Sequence, residues 1–206
     1  MRTVTVLSQK GGTGKTTLAL HLAVAAERDG WSATVLDLDP QASATGWGDS
    51  RDAATPTVVS LQASRLGKVL EGVARDGTAL ALIDTAPHSA DAAVAAAEAA
   101  DLILVPCRAG ILDLRAIATT ARIARLAGAP AYAVLNHAPP RAPRIEDDVR
   151  AAVRQHGLDL APVVLHQRAA FAHALTLGQT ASEFEPDGKA DAEVRQLFAW
   201  MRVLLA

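Results

Sequence analysis

Cysteine and aromatic residues are scarce in this chain. Its 206 residues include one cysteine, Cys107, and only 3% are aromatic. A single cysteine excludes an internal disulfide and argues against a metal site built from cysteines, which fits a reducing cytoplasm. We expect Cys107 to be a small buried residue at a strand end. The shortage of aromatic residues argues against a surface that stacks the bases of single-stranded nucleic acids.

Long apolar runs and a strong net charge are also missing. No run of 18 or more uncharged apolar residues occurs, so we expect no membrane span. The N-terminal MRTVTVLSQ lacks the apolar region of a signal peptide. The net charge is −2, so nucleic acid would have to bind through a local patch. Half of the residues are hydrophobic, which predicts a single domain over residues 1–206 with a sizeable core.

Short apolar runs alternate with longer helical stretches, a pattern typical of α/β proteins. The runs are rich in Val, Ile and Leu without polar alternation, as expected of strands buried on both faces. We therefore predict a doubly wound, mostly parallel sheet with helices on both faces. The predicted strands lie near residues 3–7, 33–38, 79–83, 102–106, 131–135 and 162–165. The predicted helices lie near residues 15–29, 60–76, 91–99, 112–127, 146–156, 169–177 and 191–205, with irregular loops at 139–144 and 183–189.

A glycine-rich segment, SQKGGTGKTTLAL at residues 8–20, lies between the first predicted strand and helix. This is the context of a phosphate-binding loop, but the usual G-x-x-x-x-G-K-[ST] pattern places a glycine where Gln9 stands. The segment also carries an extra lysine, Lys10, ahead of the conventional Lys15. We predict that the segment binds a nucleotide through residues Gly11, Gly12, Thr13, Gly14, Lys15, Thr16 and Thr17.

The chemistry of these side chains suits nucleotide phosphates. Glycines let backbone N–H groups converge on phosphate oxygens, and the N-terminus of the first helix adds its positive end. Lys15 is expected to reach the β- and γ-phosphates, and the Thr16 hydroxyl can ligate Mg²⁺. Thr17 is placed to donate a hydrogen bond to the α-phosphate. The sequence therefore predicts a nucleoside triphosphate and Mg²⁺ at this loop.

Three aspartates follow predicted strands. The second strand ends in VLDLDP, and its Asp37 and Asp39 share a face because residues two apart on a strand point the same way. One of them could lie near the metal while the other positions water. The third strand ends in LALIDTAP, and Asp84 has the position of a Walker B carboxylate that holds Mg²⁺ directly or through water.

Four segments in order, KGGTGKTT, DLDPQAS, LIDTAP and LVPCRAGILDLRA, resemble the deviant-Walker (SIMIBI) class of P-loop NTPases, and most closely the ParA partition ATPases. The likeness continues through VLNHAPPR and through RAAFAHALTLGQTASEFEPDGKADAEVRQL near the C-terminus. The stretch QASATGWGDSR resembles the short single-domain branch of that family. Because the chain begins at its first strand, we expect no N-terminal helix-turn-helix domain.

The resemblance implies an ATPase whose two subunits close face to face around two ATP molecules. In that arrangement Lys10 reaches across to the partner's nucleotide, and Lys15 serves the nucleotide of its own subunit. Asp39 organises the attacking water. A lysine offered in trans would act like an arginine finger, adding positive charge where phosphoryl transfer develops negative charge.

The resemblance also implies binding roles for other residues. Thr16 is the Mg²⁺ ligand, and Asp37 and Asp84 support the metal. Asn136 matches the position that reads the edge of the adenine, and Pro139 would pack near the base.

Partition ATPases bind duplex DNA without sequence preference, so the resemblance also implies a basic surface. Residues 105–180 hold nine arginines and five acidic residues, whereas residues 1–104 hold eight basic and twelve acidic residues. Contacts of such arginines with phosphates would be strongly salt-dependent. By likeness to the family, Arg168 and Lys189 are the first candidates for DNA contacts, followed by Arg144 and Arg195. A cytoplasmic protein of this kind would associate with the nucleoid in its ATP-bound state.

The implied function is partition or positioning of a plasmid, a chromosome or another cargo, with slow hydrolysis stimulated by a cargo-bound, ParB-like activator. The single cysteine excludes iron–sulfur relatives, and a lone tyrosine, Tyr132, excludes the tyrosine kinases of this class. An ATP-dependent ligase similar to dethiobiotin synthetase stays open, and predicts a substrate pocket without a lysine acting in trans.

A MinD-type membrane ATPase also stays open, because the chain ends in ADAEVRQLFAWMRVLLA. An apolar stripe there resembles an amphipathic anchor, and Trp200 lies beside it. An anchor would need a strongly basic polar face, whereas acidic residues here match the arginines. We therefore expect this helix to pack on the core without stable membrane anchoring. The stripe consists of Val194, Leu197, Phe198, Met201, Leu204 and Leu205.

Overall fold

Within the described residues, seven parallel strands form one sheet at the centre of the protein, in the order β3-β2-β4-β1-β5-β6-β7. This computed structural model describes residues 1–87, 89–141 and 143–206, and the side chains of 111–116 and 143 lie outside the description. The strands are β1 (Arg2–Val6), β2 (Ala33–Asp37), β3 (Thr57–Ser60), β4 (Leu80–Asp84), β5 (Leu102–Cys107), β6 (Ala131–Leu135) and β7 (Asp159–Leu160). In register, Asp37 at the end of β2 lies beside Asp84 at the end of β4.

Helices cover both faces of this sheet. They are α1 (Lys15–Arg28), α2 (Ser43–Ser50), α3 (Leu66–Arg75), α4 (Ala90–Glu98), α5 (Ile111–Ala127), α6 (Pro143–Arg154), α7 (Ala169–Thr176), α8 (Ala181–Phe184) and α9 (Lys189–Leu205). Every residue of β2, β4 and β5 is buried, because helices pack on both sides of these strands. The predicted doubly wound parallel fold is confirmed.

Three apolar clusters hold the layers together. The first packs α1 and α9 onto one face of the sheet through residues such as Leu22 and Leu197. The second packs α5 and α6 onto the other face through Ala121 and Val153. The third lies under α3 and includes Leu66. The sheet is therefore a rigid platform whose strand ends carry the candidate functional residues.

Two elements near the site were not predicted. Helix α2 and strand β3 lie between residues 43 and 60, where the sequence is polar and rich in small residues. The helix predicted from residue 60 begins later, at Leu66, after a 3₁₀ turn at Ala63–Arg65. Strand β3 forms because it pairs with β2, as at Val58 beside Val35, which is a long-range contact that a local pattern does not contain.

The strand predicted at residues 162–165 is wrong. The last strand, β7, is Asp159–Leu160, and the chain leaves the regular ladder after Ala161, whose N–H donates to Ala133. The next residue is Pro162, which has no N–H to donate. Leu165 returns to the sheet with a single hydrogen bond to Leu135.

The C-terminal helix packs on the core as expected. In α9 the side chains of Val194, Leu197 and Met201 are fully buried, and most of the predicted stripe faces α1. Leu204 is the exception, since 41% of it is exposed. Among the described residues, no helix is both long enough and apolar enough to cross a membrane.

Candidate functional site

The glycine-rich loop joins β1 to α1 at the carboxyl edge of the sheet. Gly12 and Gly14 have φ values of 74° and 93°, in the left-handed region that glycine adopts without a Cβ clash. At Gly14 a Cβ would also lie 2.2 Å from the amide nitrogen of Asn136. Helix α1 begins directly after Gly14, so its unpaired N–H groups face the loop. The loop therefore has the shape of an anion-binding cradle.

Lys15 lies inside this cradle and is only 7% exposed. Its Nζ donates a hydrogen bond to the carbonyl oxygen of Lys10 at 3.3 Å. Burial lowers the pKa of Lys15, although the carboxylates of Asp84 and Asp39 act in the opposite direction. A poorly solvated cation held by one carbonyl is well placed to bind phosphate oxygens, which are stronger acceptors.

Thr16 and Asp84 form the second part of the site. The Thr16 hydroxyl donates to Oδ2 of Asp84 at 2.6 Å. Asp84 is fully buried, and its other oxygen, Oδ1, has no hydrogen-bond partner among the described residues. Burial raises the pKa of Asp84 to about 7 despite the hydrogen bond from Thr16, with the neighbouring Asp37 adding to the rise.

This pair fits Mg²⁺. An unpartnered carboxylate oxygen beside a hydroxyl supplies the hard oxygen ligands that Mg²⁺ prefers, and Mg²⁺ usually takes one or two protein ligands plus phosphates and water. No group of three or more His, Cys, Asp or Glu residues in the described part of the chain could hold a metal. The residues present are therefore suited to a metal shared with nucleotide phosphates, and Thr16 and Asp84 would hold it.

Asp37 has a different set of contacts. Its Oδ1 accepts the backbone N–H of Asp39 at 3.0 Å, and its Oδ2 accepts both the N–H and the hydroxyl of Thr45, each at 3.0 Å. Both carboxylate oxygens thus fix the turn that carries Asp39 and the start of α2. The predicted support of the metal by Asp37 stays a prediction, and these bonds give the side chain a positioning role.

Asp39 lies where two cavities meet. The first has a volume of about 590 Å³ and lies over the glycine-rich loop. Its walls are formed by Gly11, Gly12, Gly14, Lys15, Thr16, Thr17, Leu20, Asp39, Ser43, Gly46, Trp47, Ser50, Pro87 and Leu175. The second, of about 930 Å³, shares Asp39 and Pro87 with the first and extends over the ends of β2, β3 and β4. One Asp39 oxygen accepts the N–H of Gln41 at 2.9 Å.

Asn136 holds the loop in this structure. Its Nδ2 donates to the carbonyl of Thr13 at 2.9 Å, and its Oδ1 accepts the N–H of His137 at 2.9 Å. Asn136 is 5% exposed, and neither it nor Pro139 lines the cavity over the loop. Pro139 lines a separate cavity of about 210 Å³. The predicted contacts of Asn136 and Pro139 with adenine stay predictions.

Lys10 is half-buried at the front of the loop. Its N–H donates to the Ser8 hydroxyl at 3.3 Å, and its carbonyl accepts hydrogen bonds from the side chains of Thr13 and Lys15. Each of these backbone contacts joins Lys10 to another loop residue. The predicted role of its side chain at a partner's nucleotide stays a prediction.

The four candidate DNA contacts differ in their surroundings. Arg168 donates two hydrogen bonds to Oε1 of Glu193 and is mostly buried. Arg195 lies 3.3 Å from both Asp187 and Asp191. Acidic partners of this kind would compete with DNA phosphates for both arginines.

Lys189 and Arg144 are exposed. Arg195 is exposed as well, and all four stay predictions.

Helix α2 supplies residues of the site that sequence reasoning missed. Gly46, Trp47 and Ser50 line the cavity over the loop, together with Leu175 of α7. From the sequence, QASATGWGDSR predicts only a likeness to a family branch. The sequence did contain a signal, because Trp47 and Arg51 lie in a polar segment that follows Asp39. A large aromatic residue and an arginine in such a segment indicate that their side chains make specific contacts.

His21 was also missed as a structural residue. It is 1% exposed in α1, where its Nδ1 bonds the carbonyl of Thr17 at 2.7 Å and its Nε2 accepts the N–H of Ala181 at 3.0 Å. Burial lowers the pKa of His21 to about 4, so the ring is neutral near pH 7. It links the first turn after the loop to α8.

Comparison with known proteins places the chain among nucleotide-binding domains. The family described as the CobQ/CobB/MinD/ParA nucleotide binding domain matches residues 4–181. The maintenance of carboxysome distribution protein A of Gloeobacter kilaueensis is 32% identical over 204 residues, which covers 93% of this chain and 93% of that protein. The family match therefore runs from within β1 to the start of α8 and includes the site described above.

Solved structures share the fold. The cell division ATPase MinD of Pyrococcus furiosus superimposes with a TM-score of 0.77 at 21% identity, over 98% of this chain and 99% of that one. The cobyrinic acid a,c-diamide synthase of Mycobacterium smegmatis, solved with an ATP analog and magnesium, gives a TM-score of 0.79 at 16% identity, over 98% and 94%. At these identities the likeness establishes a common P-loop α/β architecture.

Proposed function

Because the chain belongs to the CobQ/CobB/MinD/ParA family of nucleotide-binding domains and is a ParA-type ATPase that uses ATP and Mg²⁺, we propose that it forms an ATP-gated dimer. The dimer binds DNA without sequence preference and positions a cargo. Hydrolysis resets the dimer and is stimulated by a cargo-bound partner protein. The protein then acts in the cytoplasm, on the nucleoid while ATP is bound.

One observation supports this proposal most strongly. Lys15 is held inside the loop, and the Thr16–Asp84 pair leaves one buried carboxylate oxygen at the loop's edge without a partner among the described residues. Those groups supply the cation, the hydroxyl and the anion that a magnesium nucleotide needs, and each is held by the loop or by the end of β4.

The residues of this chain have separable tasks in hydrolysis. N–H groups of residues 11–17 bind the phosphates, and Lys15 moves from the Lys10 carbonyl to the β- and γ-phosphates. Asp39, held at the cavity wall by the Asp37 turn, orients the attacking water. Mg²⁺, when bound through Thr16 and Asp84, neutralises charge on the phosphates.

Lys10 completes the site of the second subunit. A lysine ahead of the loop adds positive charge at the transferred phosphoryl group only after two subunits meet, so ATP binding drives dimerisation and slow hydrolysis ends it. The relative with 32% identity is named for carboxysome distribution. That name supports a protein assembly as cargo alongside the expected plasmid or chromosome.

The decisive experiment is a salt titration of duplex DNA binding with ATP, with ADP and without nucleotide. We expect ATP-dependent binding that weakens steeply as salt rises, because phosphate contacts release counterions. Liposome flotation with ATP is the parallel measurement for a membrane-surface ATPase. Absence of ATP-dependent DNA binding at low salt contradicts the proposal, and flotation with ATP would favour the MinD-type alternative instead.

A further inference from the structure

A buried arginine joins two segments that are distant in the sequence. Arg51 follows α2, and its side chain is only 4% exposed. Its Nη1 donates to the carbonyl of Gly178 at 2.9 Å, and its Nη2 donates to the Thr55 carbonyl at 2.6 Å and to Oε1 of Glu183 at 2.9 Å. The guanidinium also lies 4.4 Å from the centre of the Trp47 ring. We name this cluster the Arg51 clasp, which consists of Trp47, Arg51, Gly178 and Glu183.

The two segments are also in direct backbone contact. A Cβ on Gly178 would lie 2.6 Å from the carbonyl oxygen of Ser50 and 2.9 Å from the Cα of Arg51. The indole N–H of Trp47 donates to the carbonyl of Gln179 at 3.2 Å. Arg51 stacks on Trp47 and pairs with Glu183, and the backbone at Gly178 touches the end of α2. We therefore expect a shift of α2 to move residues 178–183 with it.

One side of the clasp belongs to the nucleotide site. Gly46, Trp47 and Ser50 of α2 form a wall of the cavity over the glycine-rich loop. The start of α2 is tied through Thr45 to Asp37, which holds the backbone of Asp39. A nucleotide that fills this cavity therefore meets α2 directly.

The other side of the clasp, Gly178 and Glu183, lies just before α9, which carries the candidate DNA contacts Lys189 and Arg195. Glu183 closes the capping box of α8, because its Oε2 accepts the N–H of Thr180 at 2.7 Å. Arg28 of α1 donates to the carbonyl of Ser182, so α8 also rests on α1. Helix α9 begins soon afterwards at the exposed Lys189.

We propose that the Arg51 clasp couples the nucleotide cavity to the α8–α9 segment, which makes Arg51 a positioning residue for nucleotide-dependent DNA binding. The inference rests on the DNA binding of the proposed function. Occupation of the cavity moves α2, the clasp carries residues 178–183 with it, and the start of α9 follows. Arg51 itself touches neither nucleotide nor DNA in this scheme.

The first test compares Arg51→Met with Arg75→Met, a control at an exposed arginine on α3. Duplex DNA affinity is measured with a non-hydrolysable ATP analogue and without nucleotide, and the ratio of the two is the coupling. We expect Arg51→Met to reduce this ratio by about tenfold, within the usual range of coupling between sites. Affinity of both variants for a fluorescent ATP analogue without DNA should change by about twofold or less, below the range of coupling between sites, because Arg51 does not line the cavity over the loop.

Arg51→Lys separates coupling from charge neutralisation. Lysine keeps the positive charge next to Glu183 but cannot form a planar fork to several acceptors or stack in the same way on Trp47. We expect the thermal unfolding midpoint of Arg51→Lys to lie closer to wild type than that of Arg51→Met, while the coupling between ATP and DNA binding stays low. Full recovery of the coupling in Arg51→Lys would reduce Arg51 to a neutralising charge and overturn the proposal.

A glycine pair tests the same contact from the opposite side. Gly178 and Gly77 both have positive φ, 67° and 89°, but a Cβ on Gly77 meets nothing within 4 Å. Gly178→Ala therefore adds a clash with α2, whereas Gly77→Ala adds backbone strain alone. We expect only Gly178→Ala to lose the coupling, with circular dichroism confirming that both variants fold.

The outcomes are distinguishable. If wild type shows ATP-dependent DNA binding and both Arg51→Met and Gly178→Ala keep its full ratio, the clasp does not couple the sites. If Arg51→Met does not fold, the glycine pair decides. If wild type shows no ATP-dependent DNA binding, the proposed function fails, and the role of the clasp in DNA binding fails with it.

Discussion

Asp84 combines a structural cost with a chemical use. A fully buried carboxyl, one of whose oxygens has no partner in the described part of the chain, is destabilising in the folded state, and the raised pKa of Asp84 reports that cost. The cost is understandable if the oxygen is kept available for Mg²⁺, whose charge reverses the local preference for a neutral carboxyl. Lys15, buried beside it, shows the same pattern with the opposite charge.

Replacing Asp84 with Asn should separate magnesium use from nucleotide binding. The amide keeps an oxygen for the Thr16 hydroxyl but loses the negative charge, so we expect ATP hydrolysis to fall by at least about tenfold. Nucleotide binding measured without Mg²⁺ should be retained, since the loop and Lys15 are unchanged. Hydrolysis assays at several Mg²⁺ concentrations check this, and wild-type magnesium dependence in Asp84→Asn would contradict it.

Two buried groups give opposing pH dependences of stability. The lowered pKa of His21, about 4 against 6.5 unfolded, means that the unfolded chain binds more protons between these values, so stability falls as pH drops from 6.5 to 4. The raised pKa of Asp84, about 7 against 3.8 unfolded, means that the folded chain binds more protons, so stability is lost as pH rises toward 7.

In Asp84→Asn, the pH dependence of the free energy of unfolding should therefore show the contribution of His21 without the opposing contribution of Asp84. Without nucleotide and Mg²⁺, the variant should lose about 3 kcal/mol more of its free energy of unfolding than wild type between pH 7 and 4.5. Urea unfolding at the two pH values measures this difference. Equal losses in the two proteins would mean that Asp84 is ionised across this range.

At the scale of elements, α9 is held by burial rather than by its own charge pattern. Leu197 is fully buried against the sheet and α1, whereas Val203, two turns later, is 74% exposed. Val203 lies outside the apolar stripe, whose last residue, Leu205, is buried with 4% exposed.

Leu197→Ala should destabilise the protein by about 3 kcal/mol, because it removes buried methyl groups and leaves a cavity. Val203→Ala on the same helix should change the free energy of unfolding by less than about 0.5 kcal/mol. Chemical denaturation of both variants checks the contrast. A similar loss at Val203 would mean that another surface covers the end of α9 in solution.

At the scale of the whole molecule, the glycine-rich loop and the ends of β2 and β4 lie at one edge of the sheet. Lys10 is half-buried at the front of the loop, and Asp39 lines two cavities at the carboxyl edge of the sheet. A second subunit placed against this edge would close the cavity over the loop and exclude water from the phosphates, which strengthens every charge interaction there.

Lys10→Ala should abolish ATP-induced dimers while leaving monomeric ATP binding largely intact. Light scattering coupled to size exclusion, with ATP and with ADP, measures the dimer. Lys68→Ala, at an exposed lysine on α3, is the control for removal of one positive charge. An intact ATP dimer with normal hydrolysis in Lys10→Ala would remove the lysine from its role in trans.

Much of the fold followed from local pattern. Strands buried on both faces read as continuous runs of Val, Ile and Leu, and the helices between them are long enough to show their own period. Strand β3 and helix α2 escaped this reading because β3 exists through pairing with β2, and because α2 is short and polar. Hydrophobicity alone predicted a strand at residues 162–165, whereas the last strand, β7, lies just before Pro162.

The sequence by itself predicted the phosphate loop, its two lysines and Thr16, because these residues are neighbours along the chain as well as in the loop. It also predicted Asp84, because an aspartate there follows an apolar strand, although its contact with Thr16 spans 68 residues. Only the tertiary structure decided what Asn136, Arg168 and Arg51 touch, since their partners lie 25 to 132 residues away. Asn136 holds the loop, Arg168 pairs with Glu193, and Arg51 binds Glu183. Such contacts depend on how helices stack across the sheet, and short-range spacing contains no information about that stacking.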